Sequence, residues 1–309
     1  MALTRRKLFR VAQWVFAAIV LFFAATSLAT QWDKVGSRLT HLQFGWEWIS
    51  VASVIVLLIY ALLIEGWRRV LGAWDSHLPF SQASRIWFLS NLGKYVPGNI
   101  WSLTAMGVMA RQRGLSAVAA AGSSVIMQMV SLVTGTAIVM VTGAKLLDQP
   151  LLVGAAVLIL VVVLLSAPRF LPPVAVWVGS LIGRDIAPPS VPATSIWTAA
   201  VASTMSWLLY GLAFQLFVRG LLGAAPGEIS SYIAVYTAAY ILGFISPIAP
   251  AGLGVRELTL AAFMTQLGLA NEADAALVAI AARLWLTVVE LIPSGLYIAA
   301  GMGRKSLSH

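Results

Sequence analysis

Apolar residues form stretches along this chain that are long enough to cross a lipid bilayer. A transmembrane helix needs about 20 mostly apolar residues, because the hydrocarbon core is about 30 Å thick and each helical residue rises about 1.5 Å. The stretch at 11–31 follows a basic run but is longer than the apolar region of a signal peptide, so we interpret it as a span. The sequence predicts six spanning helices, at 11–31, 46–64, 115–144, 151–167, 195–218 and 275–301.

Two further apolar regions, 84–110 and 230–268, are interrupted near their middle by proline and glycine. Proline lacks the N–H that a helix needs and glycine loosens the backbone, so each region should form two half-helices joined by a break. Asn99 and Val255 would begin the second half-helix of each region. The interrupting residues are Pro97 and Gly98 in the first region, and Pro247, Pro250, Gly252 and Gly254 in the second.

The composition excludes a soluble protein. Hydrophobic residues make up 60% of the chain and charged residues only 10%, whereas soluble domains carry about 25% charged residues. The net charge of +9 would suggest nucleic acid as the partner of a soluble protein, but in a membrane protein basic residues set the orientation, so we predict no nucleic-acid partner. The chain has no cysteine and its three histidines lie far apart, so we predict neither a metal site nor another cofactor.

The distribution of basic residues predicts the topology. If both interrupted regions are re-entrant, entering and leaving on one side, the cytoplasmic side collects 13 basic residues and the outside collects four. This agrees with the positive-inside rule, and the agreement is worse if both regions cross fully. We therefore predict an all-α, multi-pass protein of the cytoplasmic (inner) membrane, with six full transmembrane helices, two re-entrant broken-helix hairpins and both termini in the cytoplasm.

The two halves of the chain repeat a short pattern. Leu92-Gly93 followed by Pro97 recurs as Leu242-Gly243 followed by Pro247, and each copy precedes a half-helix that ends near Gly-Leu. With the topology above, the two hairpins open to opposite faces and form an inverted repeat, as in transporters whose site is reachable from either side. We predict one transmembrane domain over 1–309: a first half at 1–167 with hairpin 84–110, a proline-rich cytoplasmic connector at 168–194, and a second half at 195–309 with hairpin 230–268.

Five ionisable residues fall at membrane depth, where each costs roughly 2.5–3.5 kcal/mol and is most often functional. Their summed charge is +1, so complete internal pairing leaves one cation for an anionic ligand. The helix N-termini at the two breaks add partial positive charge. No catalytic residue is predicted. The predicted substrate-binding residues are Lys94, Asn99, Trp101, Arg256, Glu257, Arg283 and Glu290.

Each of these residues could instead have a purely structural role. The four charges of the second half could form a salt-bridge network that holds the second hairpin to the last helix. Lys94 could extend to the cytoplasmic interface, Asn99 could cap its half-helix, and Trp101 could serve packing alone. Arg283 and Glu290 are seven residues apart and should share one helix face, whereas the adjacent Arg256 and Glu257 should pair with different elements.

At these motifs the chain resembles the transmembrane domain of lysylphosphatidylglycerol synthases and its stand-alone, flippase-like relatives. The resemblance rests on residues 93–101, on the more specific motif at 247–257, and on Arg283. It implies movement of anionic or aminoacylated phospholipids, or of polyprenyl-phosphate-linked sugars, between leaflets. The chain ends at His309 without the soluble aminoacyl-transferase domain of the bifunctional members, so we do not expect synthase activity.

Three functions are compatible with the sequence. The first is a lipid transporter that binds an anionic lipid headgroup, of a phospholipid or a lipid-linked sugar, at a cationic site near the midplane. The second is a membrane enzyme of the glycosyltransferase type, which the absence of a close acidic motif disfavours. The third is a non-catalytic partner subunit of a glycosyltransferase or synthase, which would need no charged cavity. The first is preferred, and the protein is then not an enzyme.

Overall fold

The computed structural model describes residues 44–95, 100–143, 150–181, 192–246, 252 and 254–306, and the predicted first span at 11–31 lies outside them. Over these residues the chain is all-α, with one short 3-10 segment, Leu92–Tyr95. The helices are α1 (Trp46–Gly72), α2 (Phe80–Asn91), α3 (Ile100–Arg111), α4 (Ala117–Thr142), α5 (Pro150–Leu181), α6 (Ala193–Leu222), α7 (Ile229–Ile245), α8 (Val255–Gln266) and α9 (Glu272–Ser306). The predicted fold class is therefore confirmed at the level of an all-helical membrane protein.

Four of these helices are long and apolar enough to cross a membrane. They are α1, α4, α6 and the Glu272–Ala300 part of α9, and they correspond to the predicted spans at 46–64, 115–144, 195–218 and 275–301. These four predictions are confirmed as apolar helices of spanning length. Most of them extend a few residues beyond the predicted limits because polar ends of a helix continue past the hydrocarbon core.

Helix α5 differs from its prediction in length. Its apolar part, Val153–Arg169, overlaps the predicted span at 151–167 but is shorter than the four helices of spanning length, and the helix continues to Leu181. It passes through Pro168, Pro172 and Pro173, which the sequence analysis assigned to a connector. A proline within a helix removes one backbone hydrogen bond and bends the axis, which neighbouring turns can accommodate, so proline content alone does not end the helix.

The core is built around α6, which packs against α1, α4 and α7. Small residues allow the close contact: a Cβ atom on Gly211 of α6 would lie 2.6 Å from the Cα atom of Ile233 of α7. Small residues at such crossings are typical of membrane helices, where packing rather than water exclusion drives association. Phe214 fills the same interface and contacts the rings of Tyr232 and Tyr236.

The two interrupted regions each form a pair of helices in contact. In the first broken segment (residues 80–111), α2 and the 3-10 turn pack against α3; in the second (residues 229–266), α7 packs against α8. The predicted half-helices are therefore present on both sides of each break. Of the break residues themselves, Pro97, Gly98, Pro247 and Pro250 lie outside the described residues, as does Asn99.

Candidate functional site

A cavity of about 270 Å³ lies where both broken segments meet α9. Its charged lining residues come from three different elements: Lys94 from the 3-10 turn, Arg256 from α8, and Arg283 and Glu290 from α9. Residues 196 positions apart thus line one space. The structure brings together four of the seven predicted site residues at this cavity.

The cavity lies near the middle of the spanning helices. The midpoints of the four helices of spanning length fall at residues 59, 129–130, 207–208 and 286. Each of these helices contributes a lining residue within three positions of its own midpoint: Tyr60, Gln128, Tyr210 and Leu286. Since a helical residue rises about 1.5 Å, these residues lie within about 5 Å of the helix centres.

Two equivalent glycines bring the second half-helices close to the cavity. A Cβ on Gly93 would lie 2.7 Å from the backbone nitrogen of Ser102, at the start of α3. A Cβ on Gly243 would lie 2.9 Å from the Cβ of Arg256, at the start of α8. Gly93 and Gly243 are the glycines of the repeated Leu-Gly pattern, so the repeat has the same structural role in both segments.

The glycines of the second break adopt a backbone conformation that other residues rarely adopt. Gly252 and Gly254 have φ angles of 69° and 85°, where a side chain would be strained. Helix α8 begins at Val255, as predicted, and Glu257 Oε2 accepts a 2.7 Å hydrogen bond from the backbone N–H of Gly254. Glu257 therefore fixes the start of the helix that carries Arg256.

Helix α9 bridges the two broken segments through two ion pairs of opposite polarity. Its Glu290, 4% exposed, accepts a hydrogen bond from the ammonium group of Lys94 in the first segment. Its Arg283 lies with Nη1 3.5 Å from Oε1 of Glu257 in the second segment. Arg283 and Glu290 both face the cavity, which confirms that they share a helix face. The Arg283–Glu257 pair joins the second segment to the last helix, as the structural alternative supposed, whereas Glu290 pairs with Lys94 of the first segment, outside that network.

Arg256 has an aromatic environment instead of an acidic one. Its Nη2 donates a 3.0 Å hydrogen bond to the Tyr236 hydroxyl, and its guanidinium lies 5.2 Å and 5.4 Å from the ring centroids of Tyr236 and Tyr240. None of the carboxylates in the described part of the chain forms a salt bridge with it. Its partners differ from those of Glu257, as the sequence predicted, and the described groups in direct contact with its guanidinium are the phenol hydroxyl and ring faces of α7.

Two predicted residues lie elsewhere. Trp101 is 41% exposed and does not line the cavity, whereas its neighbour Ser102 does, because adjacent helical residues point about 100° apart. Glu257 is not a lining residue either, and acts on the site through Arg283 and Gly254.

The sequence analysis did not single out the uncharged polar residues of the cavity wall. These include Tyr60, Trp87, Asn91, Gln128, Tyr210, Tyr236 and Tyr240. Gln128 could have been identified from the sequence, since it is an amide side chain in the middle of an apolar span. Tyr236 and Tyr240 could also have been identified, because a spacing of four residues places both on one helix face. Among the described residues there is also no group of three or more histidine and acidic side chains that could hold a metal ion.

Comparison with known proteins supports the resemblance noted from the motifs. No curated protein matches this chain. Residues 10–294 match the family described as the lysylphosphatidylglycerol synthase TM region, which is most of the chain and includes both broken segments and the cavity residues. The protein therefore belongs to the lysylphosphatidylglycerol synthase transmembrane-region family.

Proposed function

We propose that the protein moves an anionic lipid between membrane leaflets and binds the lipid phosphate in the central cavity. One observation carries this proposal: a cavity near the middle of the spanning helices is lined by three cationic side chains, Lys94, Arg256 and Arg283. With the two carboxylates that pair with them, the cluster keeps a net charge of +1. An uncompensated cation inside a membrane protein is costly unless a ligand of opposite charge complements it.

Arg256 is the residue best suited to hold the phosphate. An arginine has five N–H donors and always carries its charge, and the described contacts of this guanidinium are one hydrogen bond to Tyr236 and two ring faces. Several donors therefore stay available for phosphate oxygens. Arg283 can add a second contact by leaving Glu257, because a 3.5 Å ion pair is longer than a strong charge-assisted hydrogen bond.

The size of the cavity supports a headgroup as its occupant. Pockets for drug-sized molecules are usually about 300–1,000 Å³, and this cavity of about 270 Å³ is smaller. A phosphate with a small polar substituent is of suitable size, while long acyl or prenyl chains would stay in the bilayer. The lipid would therefore move with its headgroup in the protein and its chains outside.

The proposed topology provides access from both leaflets. In it, six helices cross the inner membrane, the two broken segments are re-entrant from opposite faces, and both termini are cytoplasmic. Each segment would then close one entrance to the cavity, and small movements of one segment relative to α9 would open it. The ion pairs from α9 to both segments are suitable contacts for such movement.

Purified protein in liposomes provides the test, with transport of fluorescent phosphatidylglycerol as the readout. Arg256→Met should reduce transport by about 10- to 100-fold, since hydrogen bonds to charged groups contribute about 1.5–3 kcal/mol. Arg256→Lys should retain part of it. Arg219→Met is the matched control, because Arg219 also lies over an aromatic ring, that of Trp48, 4.1 Å from its centroid, but does not line the cavity. Transport by folded Arg256→Met at the wild-type rate would contradict the proposal.

A further inference from the structure

A second pair of cations lies outside the central cavity, towards the open end of the first broken segment. Arg85 belongs to the first half of α2, and Arg113 lies in the turn that follows α3. Because α2 and α3 pack against each other and meet at the break, the start of α2 and the end of α3 lie at the same end of the segment. Neither arginine lines the cavity.

The two arginines repel each other and have no acidic partner. Burial and the nearby charge of Arg85 lower the pKa of the Arg113 guanidinium, so the two groups lie close enough to interact. Among the described residues, the buried Nε of Arg85 has no hydrogen-bond partner, and no carboxylate pairs with either arginine. A buried donor without a partner costs free energy, which a bound acceptor would recover.

A neighbouring pair of arginines shows the contrasting arrangement. Near the end of α1, Arg68 and Arg69 both bond to the carboxylate of Glu65, at 2.7 Å and 2.8 Å. There the protein itself supplies the anion that holds two cations together. At Arg85 and Arg113 the described part of the chain supplies none, so an anion from outside the chain would complement this pair.

The outer face of α3 indicates which anions lie near this pair. Trp101 and Val108 are exposed, and their spacing of seven residues places both on one face of the helix. Arg111, exposed three residues after Val108, ends the same face. An apolar exposed face that ends in a basic residue is typical of a helix that reaches the membrane interface. The turn that carries Arg113 would therefore lie at the level of the lipid phosphates.

We propose that Arg85 and Arg113 together bind a phosphate group, and that its source is a phospholipid of the leaflet at this end of the segment. A guanidinium matches phosphate oxygens with two parallel hydrogen bonds, and one phosphate can accept from two arginines. Since Nε of Arg85 is covered, a rotation of this long side chain would bring it to a phosphate oxygen. The bound phosphate would then link α2 to the end of α3. The site is separate from the central cavity and does not depend on transport through it.

Native mass spectrometry of the purified full chain with phosphatidylglycerol tests this site. The parent chain for the test carries Arg256→Met, which removes the cation proposed to bind phosphate in the cavity. Adding Arg85→Met or Arg113→Met should weaken lipid binding by about 10- to 100-fold, the range expected for hydrogen bonds to a charged group. Diacylglycerol, which has no phosphate, should bind the parent and the variants equally.

Arg111→Met is the matched control, because Arg111 carries the same charge at the same end of α3 but is fully exposed to its surroundings. Its loss should weaken phosphatidylglycerol binding by less than about fivefold, as for an exposed ion pair. Equal losses for Arg111→Met and Arg85→Met would show a general attraction of the surface for anionic lipid and would overturn the proposal. Transport by Arg256→Met in liposomes is a separate measurement, so failure of the cavity proposal and failure of this one are distinguishable.

Thermal unfolding in detergent separates phosphate binding from a structural role and identifies the source of the phosphate. A ligand of the folded chain raises its unfolding temperature, so phosphatidylglycerol should stabilise the parent chain more than the chain with Arg85→Met added. The same difference with inorganic phosphate would support the phosphate site and assign it a soluble ligand as well. The proposal is overturned if Arg85→Met shifts the unfolding temperature by the same amount with and without each of the two probes.

Discussion

The two broken segments share their geometry but not their charges. Their second half-helices, α3 and α8, are each 12 residues long. Shortly after each helix comes a glycine of positive φ, Gly114 at 76° and Gly268 at 66°. The leucine that follows this glycine donates its N–H to a carbonyl five residues earlier. This is the same helix-ending hydrogen bond in both copies.

The charges of the two segments are placed differently. The first segment contributes a cation, Lys94, before its break, while the second contributes a cation and an anion, Arg256 and Glu257, after its break. Accordingly α9 presents an acid to the first segment and a base to the second. The comparison teaches that the repeated glycines maintain the backbone shape, whereas the charge pattern makes the two sides of the cavity chemically distinct.

The largest expected effect concerns the orientation of the two segments. Single cysteines replacing Arg111 and Thr265, which are exposed near the ends of α3 and α8, should react with an impermeant thiol reagent from opposite sides of the membrane. Labelling in intact and inverted vesicles measures this, and a permeant reagent that labels both is the control. The chain has no native cysteine to interfere. Labelling of both positions from one side would contradict the inverted arrangement.

The two ion pairs of α9 should differ in their contribution to stability. Glu290→Gln removes a nearly buried charge in direct contact with Lys94, and we expect the free energy of unfolding to fall by up to about 3 kcal/mol. The fall is limited because the lysine is 39% exposed at the cavity. Glu257→Gln should lower the free energy of unfolding by about 1 kcal/mol or less, since the nitrogen and oxygen of the Arg283–Glu257 pair are 3.5 Å apart and both side chains are 18% exposed. In addition, the glutamine can still accept the hydrogen bond from the Gly254 N–H.

Unfolding of the detergent-solubilised protein measures both changes. The double variant Lys94→Met/Glu290→Met should recover part of the stability lost in Glu290→Gln, because it leaves no unpaired charge behind. A larger loss for Glu257→Gln than for Glu290→Gln would show that the second segment, not the first, depends more on its contact with α9.

The two glycines of the repeat provide a further comparison between the segments. Gly93→Ala places a methyl group against backbone atoms of α3, and Gly243→Ala places one against the Cβ of Arg256. Overpacking of this kind costs about 1–3 kcal/mol, and Gly93→Ala should be the more harmful, because backbone atoms cannot move aside as easily as a side chain. Gly154→Ala in α5, where no atom lies within 4 Å, is the control in thermal unfolding. If both variants unfold at the same temperature as Gly154→Ala, the close approach of these glycines to α3 and α8 is not needed for stability.

The sequence by itself determined the membrane class, the four helices of spanning length and the places where two further helices break. Bilayer thickness fixes the length of an apolar helix, and proline and glycine act on the backbone locally, so neither depends on distant residues. The same holds for the start of α8 at Val255 and for the shared face of Arg283 and Glu290. The sequence did not determine the end of α5, because prolines within a helix need not terminate it.

Only the tertiary structure decided which charges pair and what surrounds them. Lys94 and Glu290 are 196 residues apart, and their contact depends on how the first segment packs against α9. The neutral wall has the same origin, since Tyr60, Gln128 and Tyr210 come from three helices that no local pattern connects. The +1 charge was readable from a count of residues, but its assignment to Arg256 required the packing, because a charge is neutralised by its neighbours in space and not by those in sequence.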